Sequence, residues 1–345
     1  MNPRCERPRE LDDALRSRRP VGAGFTPSRA RYTAAPVVLS VTKSSSEKAH
    51  AIRSLASARA SPTGRRVKTN RRAIDTIRYD SSMSSAGRVF RGCDDLGRDV
   101  GTHEEFWARV ARGAKRSDGK PLWYAKGIEY WDEVTADVDG VLGGFGHVSG
   151  ADARDNAKLL RDALGETLAA RRASGEKTVA LDCGAGVGRV TGTFLIEHFD
   201  EVDLVEPCGH FLAAAEADAH VRGDDREDGH RAVNFFKEPL EEFKPEKVRY
   251  DVVWIQWCVG HLTDDDLVAF LQRCKEGLKP GGMIVLKENN TANGFVLDLE
   301  DSSITRSHEY FLYIIEKAGM PCVEHRLQTG FPPELFQVRM YAIKP

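Results

Sequence analysis

The chain has no pair of cysteines spaced C-x-x-C, and its seven cysteines (Cys5, Cys93, Cys183, Cys208, Cys258, Cys274, Cys322) are an odd number scattered over 345 residues. That pattern argues against a zinc cluster and a disulfide scaffold, predicts no metal site, and suits thiols held in a reducing compartment. No apolar run approaches the roughly 18 residues needed to cross a bilayer, and the start lacks an apolar secretory core. The expectation is a soluble protein, cytoplasmic and/or nuclear, with no membrane partner. No internal repeat is present.

Acids are scarce at one end. Residues 1–92 hold 20 Lys/Arg against 7 Asp/Glu (+13), which leaves 30 against 45 (−15) for residues 93–345. Apart from a short APVVLSV run, the apolar residues of this segment follow no helical or strand period. It buries too little apolar surface to offset its ordering entropy. Residues 1–100 are therefore read as a basic, disordered extension and residues 101–345 as the folded domain. A basic tail can bind nucleic acid, address an organelle, or remain a solvated extension. The last reading is favoured, because Glu6, Glu10, Asp12 and Asp13 are out of place in an acid-poor transit peptide and Met83 offers a late alternative start. Nucleic acid is expected as a partner only through this tail.

From Thr102 onward helical and strand patterns alternate, which predicts an α/β sheet with helices on both faces. The spacing of Leu159, Leu160, Ala163, Leu164 and Leu168 predicts a helix over 155–173. Strands are expected at 178–183, 202–205, 233–236, 251–256 and 283–287, and further helices from Arg189, through 211–219, over 264–278 and over 304–318. KPGG should make a tight turn into the strand at 283. Two closing strands at 322–326 and 336–343 are expected to be antiparallel after five parallel ones.

LDCGAGVGR puts Gly184, Gly186 and Gly188 in the spacing G-x-G-x-G, directly after a strand. A dinucleotide turn would need its third glycine one position later. A turn that admits a ligand without pyrophosphate fits S-adenosylmethionine better than NAD. Glu206 ends the next strand, EVDLVEP, about 20 residues on, where a carboxylate can accept both ribose hydroxyls. Ligands of open α/β sheets lie outside the carboxyl ends of the strands. Leu240 and Glu241 of EPLEEF can therefore border an adenine, and Gln256 and Trp257 stand at the next strand end. Arg189 opens the helix after the glycines and can pair with the cofactor's carboxylate. DLEDSS, with Asp301, Ser302 or Ser303 as cap, would start the helix that follows.

YWDEVTADVDGVLGGFGHVS, ALDCGAGVGRVT, EVDLVEP, YDVVWIQWCVGHLTDDDL, KENN and GFVLDLEDSSITR together make the stretch from Glu129 onward, about 215 residues, closely resemble the alpha N-terminal protein methyltransferases. The resemblance implies a seven-stranded Rossmann-like class I methyltransferase fold with N-terminal helices and a hairpin insertion over the site. It implies an S-adenosylmethionine-dependent enzyme that methylates the α-amine of proteins beginning Xaa-Pro-Lys or Xaa-Pro-Arg. Cofactor contacts are implied for Gly184, Arg189, Glu206, Pro207, Cys208, Leu240, Glu241, Gln256 and Trp131. Leu142, Gly143, Trp257, Asp298 and Ser303 are implied on the substrate side, and His261, Asp301 and Asn289 as the catalytic group. Glu206 replaces the aspartate of many members, and Phe145 and Phe336 stand where relatives have tyrosine. The alternatives weighed are a small-molecule amine methyltransferase of the same fold, a nucleic-acid methyltransferase or binding protein using the tail, and a cofactor-free binding module.

Overall fold

A computed structural model describes residues 87–345. Strands β1 (Arg91–Asp94) and β2 (Asp99–Thr102) open this part, followed by helices α1 (His103–Arg112) and α2 (Leu122–Asp132). Helix α3 (Ser149–Ser174) leads into the alternating core. There β3 (Val179–Cys183), β4 (Glu201–Val205), α4 (Gly209–Ala217), β5 (Arg231–Phe236), β6 (Tyr250–Gln256), α5 (Asp264–Gly277) and β7 (Leu278–Asn290) follow in turn. The chain closes with β8 (Phe295–Asp298), β9 (Ser303–Arg306), α6 (His308–Lys317), β10 (Cys322–Leu327) and β11 (Gln337–Ile343).

The large sheet has the order β10-β11-β7-β6-β3-β4-β5. The five strands from β7 to β5 run parallel, and β11 runs against β7 and β10. The two closing strands are thus an antiparallel pair, as expected, but only β11 opposes the five. Alternation along each strand feeds two cores, the signature of a sheet covered on both faces. Ala180, Val252, Trp254 and Val285 pack with Leu159, Leu160, Leu164 and Leu168 of α3. Leu181, Val253, Ile255 and Leu286 pack with Leu267, Phe270 and Leu271 of α5 and with Phe311 and Ile314 of α6.

Three expectations from sequence are corrected. The folded part begins earlier than residue 101: β1 pairs with β2 and, in parallel, with β8, and Phe90 stacks on Tyr310 at 4.2 Å. The APVVLSV run and the rest of residues 1–86 lie outside the described residues. Helix α3 starts at Ser149 and not at Asp155, because its first turns carry polar side chains inward and so show no apolar period. The stretch 304–318 divides into β9 and α6, and the cap of α6 is Ser307, whose hydroxyl accepts from Tyr310 N. Asp301, Ser302 and Ser303 therefore cap no helix.

β1, β2, β8 and β9 make a second, four-stranded sheet in the order β2-β1-β8-β9. The β8–β9 hairpin sits where the resemblance places its insertion, and α1 and α2 answer to its N-terminal helices.

Candidate active site

The tips of β3, β4 and β6 open into a cavity of about 1020 Å³, part of it continuous with solvent. Its floor is the glycine turn. Gly184 has φ +63°, and a Cβ there would lie 2.4 Å from the Cβ of Cys258. Gly188, at φ +76°, would meet Val221 at 2.7 Å. Any side chain at either position would both strain the backbone and displace a packed neighbour.

Glu206 fastens this turn to the next strand. Its Oε2 accepts from Gly186 N and its Oε1 from Cys208 N, both at 2.9 Å. Burial pushes its carboxyl above the usual range, against the pull of those two donors. Each oxygen has spare acceptor capacity, so a vicinal diol can be held beside the backbone donors.

Arg189 forms the opposite wall. Its Nη1 donates to Asp152 Oδ2 at 2.7 Å and to Ser149 Oγ at 3.3 Å, and its Cζ stands 5.1 Å from the centre of the Trp257 ring. Gln256 donates from Nε2 to both oxygens of Asp152 at 2.9 Å and accepts from Trp254 Nε1. Leu240 and Glu241 border the cavity after β5, and burial raises the carboxyl of Glu241. The thiol of Cys208 is also pushed up by burial and stays neutral.

Helix α2 roofs the cavity with Tyr124, Gly127, Ile128 and Trp131. Gly127 lets it approach closely, since a Cβ there would lie 3.1 Å from His261 Nδ1. Trp131 Nε1 donates to His261 Nε2 at 2.9 Å, and His261 Nδ1 faces the Ser302 carbonyl at 3.3 Å. An indole nitrogen only donates and a carbonyl only accepts. Nε2 is thereby placed to accept from the indole, which leaves Nδ1 facing the carbonyl.

All nine residues expected to touch the cofactor (Gly184, Arg189, Glu206, Pro207, Cys208, Leu240, Glu241, Gln256, Trp131) line this one cavity, together with Leu142, Trp257 and His261. Gly143, at φ +57°, follows Leu142 on the surface. Asn289, Asp298, Asp301 and Ser303 do not line the cavity; they stand beside it on β7 and the β8–β9 hairpin. Asp298 Oδ1 accepts from Glu300 N at 2.8 Å and closes the hairpin turn. Asp301 is pushed up by burial, pulled down by His261 and pushed up again by Asp298. Its Oδ1 is buried with no hydrogen-bond partner.

Several site residues escaped sequence reading. Asp152 and Asn156 face inward on the first turns of α3, where they continue the spacing of Leu160 and Leu164 in steps of four; that spacing was the available signal. Lys287 and Glu288 end a buried strand. Glu288 accepts from Val259 N and Asn289 N, and burial pushes its carboxyl up to about 7. Asp95 follows β1, where the pairing of Asp94 with Leu297 brings it abreast of Asp298, itself paired with Ser303. A carboxylate, a carboxylate and a hydroxyl thus form a row across three strands. Asp95 Oδ1 is buried without a partner, and burial and Asp298 raise its carboxyl.

The family model described as AdoMet-dependent proline di-methyltransferase matches residues 119–344. The chain belongs to that family. It is an S-adenosylmethionine-dependent methyltransferase, and its large sheet is the Rossmann-like methyltransferase sheet. An alpha N-terminal protein methyltransferase 1 of Arabidopsis thaliana is 47% identical over 73% of this chain and 90% of its own length. An N-terminal Xaa-Pro-Lys N-methyltransferase 1-B of Xenopus laevis is 43% identical over 64% of this chain and 95% of its own. Among solved structures, a SAM-dependent methyltransferase of Leishmania major is similar with a TM-score of 0.65 and 31% identity, covering 77% of this chain and all of that one. For this methyltransferase, the β1–β2 hairpin and α1 lie ahead of the residues the family model matches.

Proposed function

We propose that this methyltransferase transfers methyl groups from S-adenosylmethionine to the α-amino nitrogen of proteins whose exposed N-terminus reads Xaa-Pro-Lys or Xaa-Pro-Arg. The names of the relatives support this substrate over a small-molecule amine. The observation that carries it is Asp301: a buried carboxylate oxygen with no partner, beside His261 and close to Asp298, which stands in a row with Asp95. A small amine needs no such row, whereas a basic third residue does.

The residues divide the chemistry as follows. Glu206 and the glycine turn hold the ribose, Leu240 and Glu241 border the base, and Arg189 meets the carboxylate end. The cofactor supplies an electrophilic methyl group on a sulfonium, so the attacking nitrogen must arrive with a free lone pair. An α-amine has a pKa of about 7.7 to 8.0, and a modest acceptor suffices to strip its proton. His261 Nε2 is already occupied by Trp131. The acceptor in this reading is therefore Asp301, directly or through water, whose raised affinity for a proton suits the task, while His261 holds the roof and the Ser302 turn in place. Leu142, Trp131 and Trp257 exclude water and favour the neutral amine. Asn289, Asp298 and Ser303, with Gly143 at the channel mouth, orient the peptide. Orientation at attack distance supplies much of the acceleration.

The same reading places the enzyme in the cytoplasm and/or nucleus, which suits the free thiols of Cys183, Cys208, Cys258, Cys274 and Cys322. Among the described residues no helix is long and apolar enough to cross a membrane. Binding of nucleic acid or organelle addressing would be tasks for the basic extension.

A peptide beginning Ser-Pro-Lys tests the reading against Ser-Pro-Glu and N-acetyl Ser-Pro-Lys, scored by mass spectrometry. Methylation of the first alone is expected. Equal labelling of all three overturns it.

A further inference from the structure

Lys287 is wholly buried in β7, beside Gln256 and Trp257, and does not itself line the cavity. Its three N–H donors go to Asp152 Oδ1 at 2.5 Å, Asn156 Oδ1 at 2.6 Å and Gln328 Oε1 at 2.5 Å. A buried ammonium costs several kcal/mol to desolvate, so an apolar residue here would stabilise the sheet more simply. The acceptor it shares is Asp152, whose other oxygen binds the cavity-facing Arg189 at 2.7 Å. Burial raises the carboxyl of Asp152, yet Lys287 and then Arg189 outweigh it and hold Asp152 below the usual carboxylate range.

An arginine locked to its own aspartate is a neutral pair and attracts an external carboxylate weakly. We propose that Lys287 is a positioning residue for the cofactor's carboxylate end: by competing for Asp152 it leaves Arg189 with positive charge to offer to the cavity. Geometry supports this division. Lys287 and Arg189 take different oxygens of Asp152, Gln256 bridges both oxygens and fixes the carboxylate plane, and the two cations stand 6.0 and 5.1 Å from the Trp257 ring. Other charged groups face the same neighbourhood. Asp182 accepts from Thr191 N and Oγ1 and is pushed up to about 6 by burial. Asp155 is engaged by Thr329, and Glu206 lies at the far end of the cavity. These carboxylates lower the potential at Arg189, which makes the charge of Lys287 more consequential. Gln328 precedes the loop that brings Phe331 to 6.1 Å from Trp257, so the same lysine also ties that loop to the cofactor wall.

The inference rests on the proposed placement of the cofactor's carboxylate end at Arg189. Two ligands separate the terms: S-adenosylhomocysteine carries the carboxylate, and 5′-methylthioadenosine keeps the nucleoside and sulfur but lacks the amino-acid end. Affinities are measured by calorimetry on the full chain and on Lys287→Gln and Lys287→Arg. The wild type should prefer S-adenosylhomocysteine strongly. Lys287→Gln should cut that preference about tenfold, the scale of one unit charge several ångströms away in a protein interior, with methylthioadenosine affinity unchanged. Lys287→Arg should retain most of the preference. If Lys287→Gln leaves the preference intact, or weakens both ligands alike, the role of Lys287 is overturned. A wild type that does not discriminate between the two ligands overturns the placement of the carboxylate at Arg189 itself.

Discussion

The two sides of the active site are built in opposite ways. On the cofactor side, at the tips of the large sheet, nearly every polar atom is engaged inside the protein: Glu206 by two backbone donors, and Asp152 by Arg189, Lys287 and Gln256. On the side that the proposed function gives to the substrate, buried polar atoms stand without partners at Asp301 Oδ1, Asp95 Oδ1 and Trp257 Nε1. Two residues there, Ser302 and Trp257, adopt left-handed backbone at φ +53° and +56°, which is uncommon for such side chains. A buried group without a partner costs about 1 to 3 kcal/mol. That cost is recovered when a ligand supplies the missing partner, so the substrate side holds binding capacity that the cofactor side has already spent on rigidity.

The largest test of this contrast is Asp301→Asn. The side chain keeps its shape but can no longer take up a proton. Turnover with the Ser-Pro-Lys peptide should fall by about 10² to 10⁴, while the Kd for S-adenosylmethionine shifts by no more than about twofold, since distant sites act independently. Steady-state kinetics and calorimetry read the two sides separately. A matching loss in both would erase the division.

Glu206→Ala should reverse the pattern. It removes a charge-assisted acceptor and frees Gly186 N and Cys208 N, so cofactor affinity should weaken about 10- to 100-fold. Turnover at saturating cofactor should change far less. A drop confined to turnover would mean that Glu206 is no ribose acceptor.

How far each side could be read from sequence follows the same contrast. The large sheet announces itself through periodicity: buried strands such as VALDC and YDVVWIQ, helix stripes such as Leu159, Leu160 and Leu164, and the glycine turn with Glu206 behind it. Residue spacing carries that information because each element is regular. The second sheet is four strands of four residues each, too short to show a period. Its parallel pairing of β1 with β8 joins segments some 200 residues apart, which no local pattern encodes. Asp95 was therefore invisible, whereas Asp301 and Asp298 were found only through the family resemblance. The network at Asp152 was hidden differently, since inward-facing polar residues break an apolar stripe and move the apparent helix start from Ser149 to Asp155.

Glu288 lies at the border of the two sides, under Asn289, and sharpens the comparison through pH. Burial raises its carboxyl from an ordinary 4.5 to about 7. Across that window the folded protein holds a proton that the unfolded chain has lost, so stability falls as pH rises from 4.5 toward 7 and levels off above. Asp182, raised to about 6, adds a slope of the same sign. Denaturant titrations at pH 5, 6 and 7 should show Glu288→Gln flattening the slope by up to about 1.4 kcal/mol per pH unit. A slope unchanged by the substitution would mean that Glu288 is ionised throughout.

The smallest expected effect belongs to Asp95, and it asks whether the β1–β2 hairpin serves the site or only the fold. Asp95 lies ahead of the matched family region yet stands abreast of Asp298, and no hydrogen-bond partner satisfies its buried Oδ1. Its side chain is partly exposed, so an ion pair with a basic substrate residue should contribute only about 0.5 to 1 kcal/mol. Asp95→Asn should therefore raise KM two- to fivefold for peptides with lysine at the third or fourth position, by that same energy. It should leave KM unchanged for peptides with glutamine there, and kcat unchanged for both. If the lysine and glutamine peptides respond equally, the row of acids ends at Asp298 and the hairpin is a brace. A response confined to lysine would place the start of the substrate wall some two dozen residues ahead of the matched region.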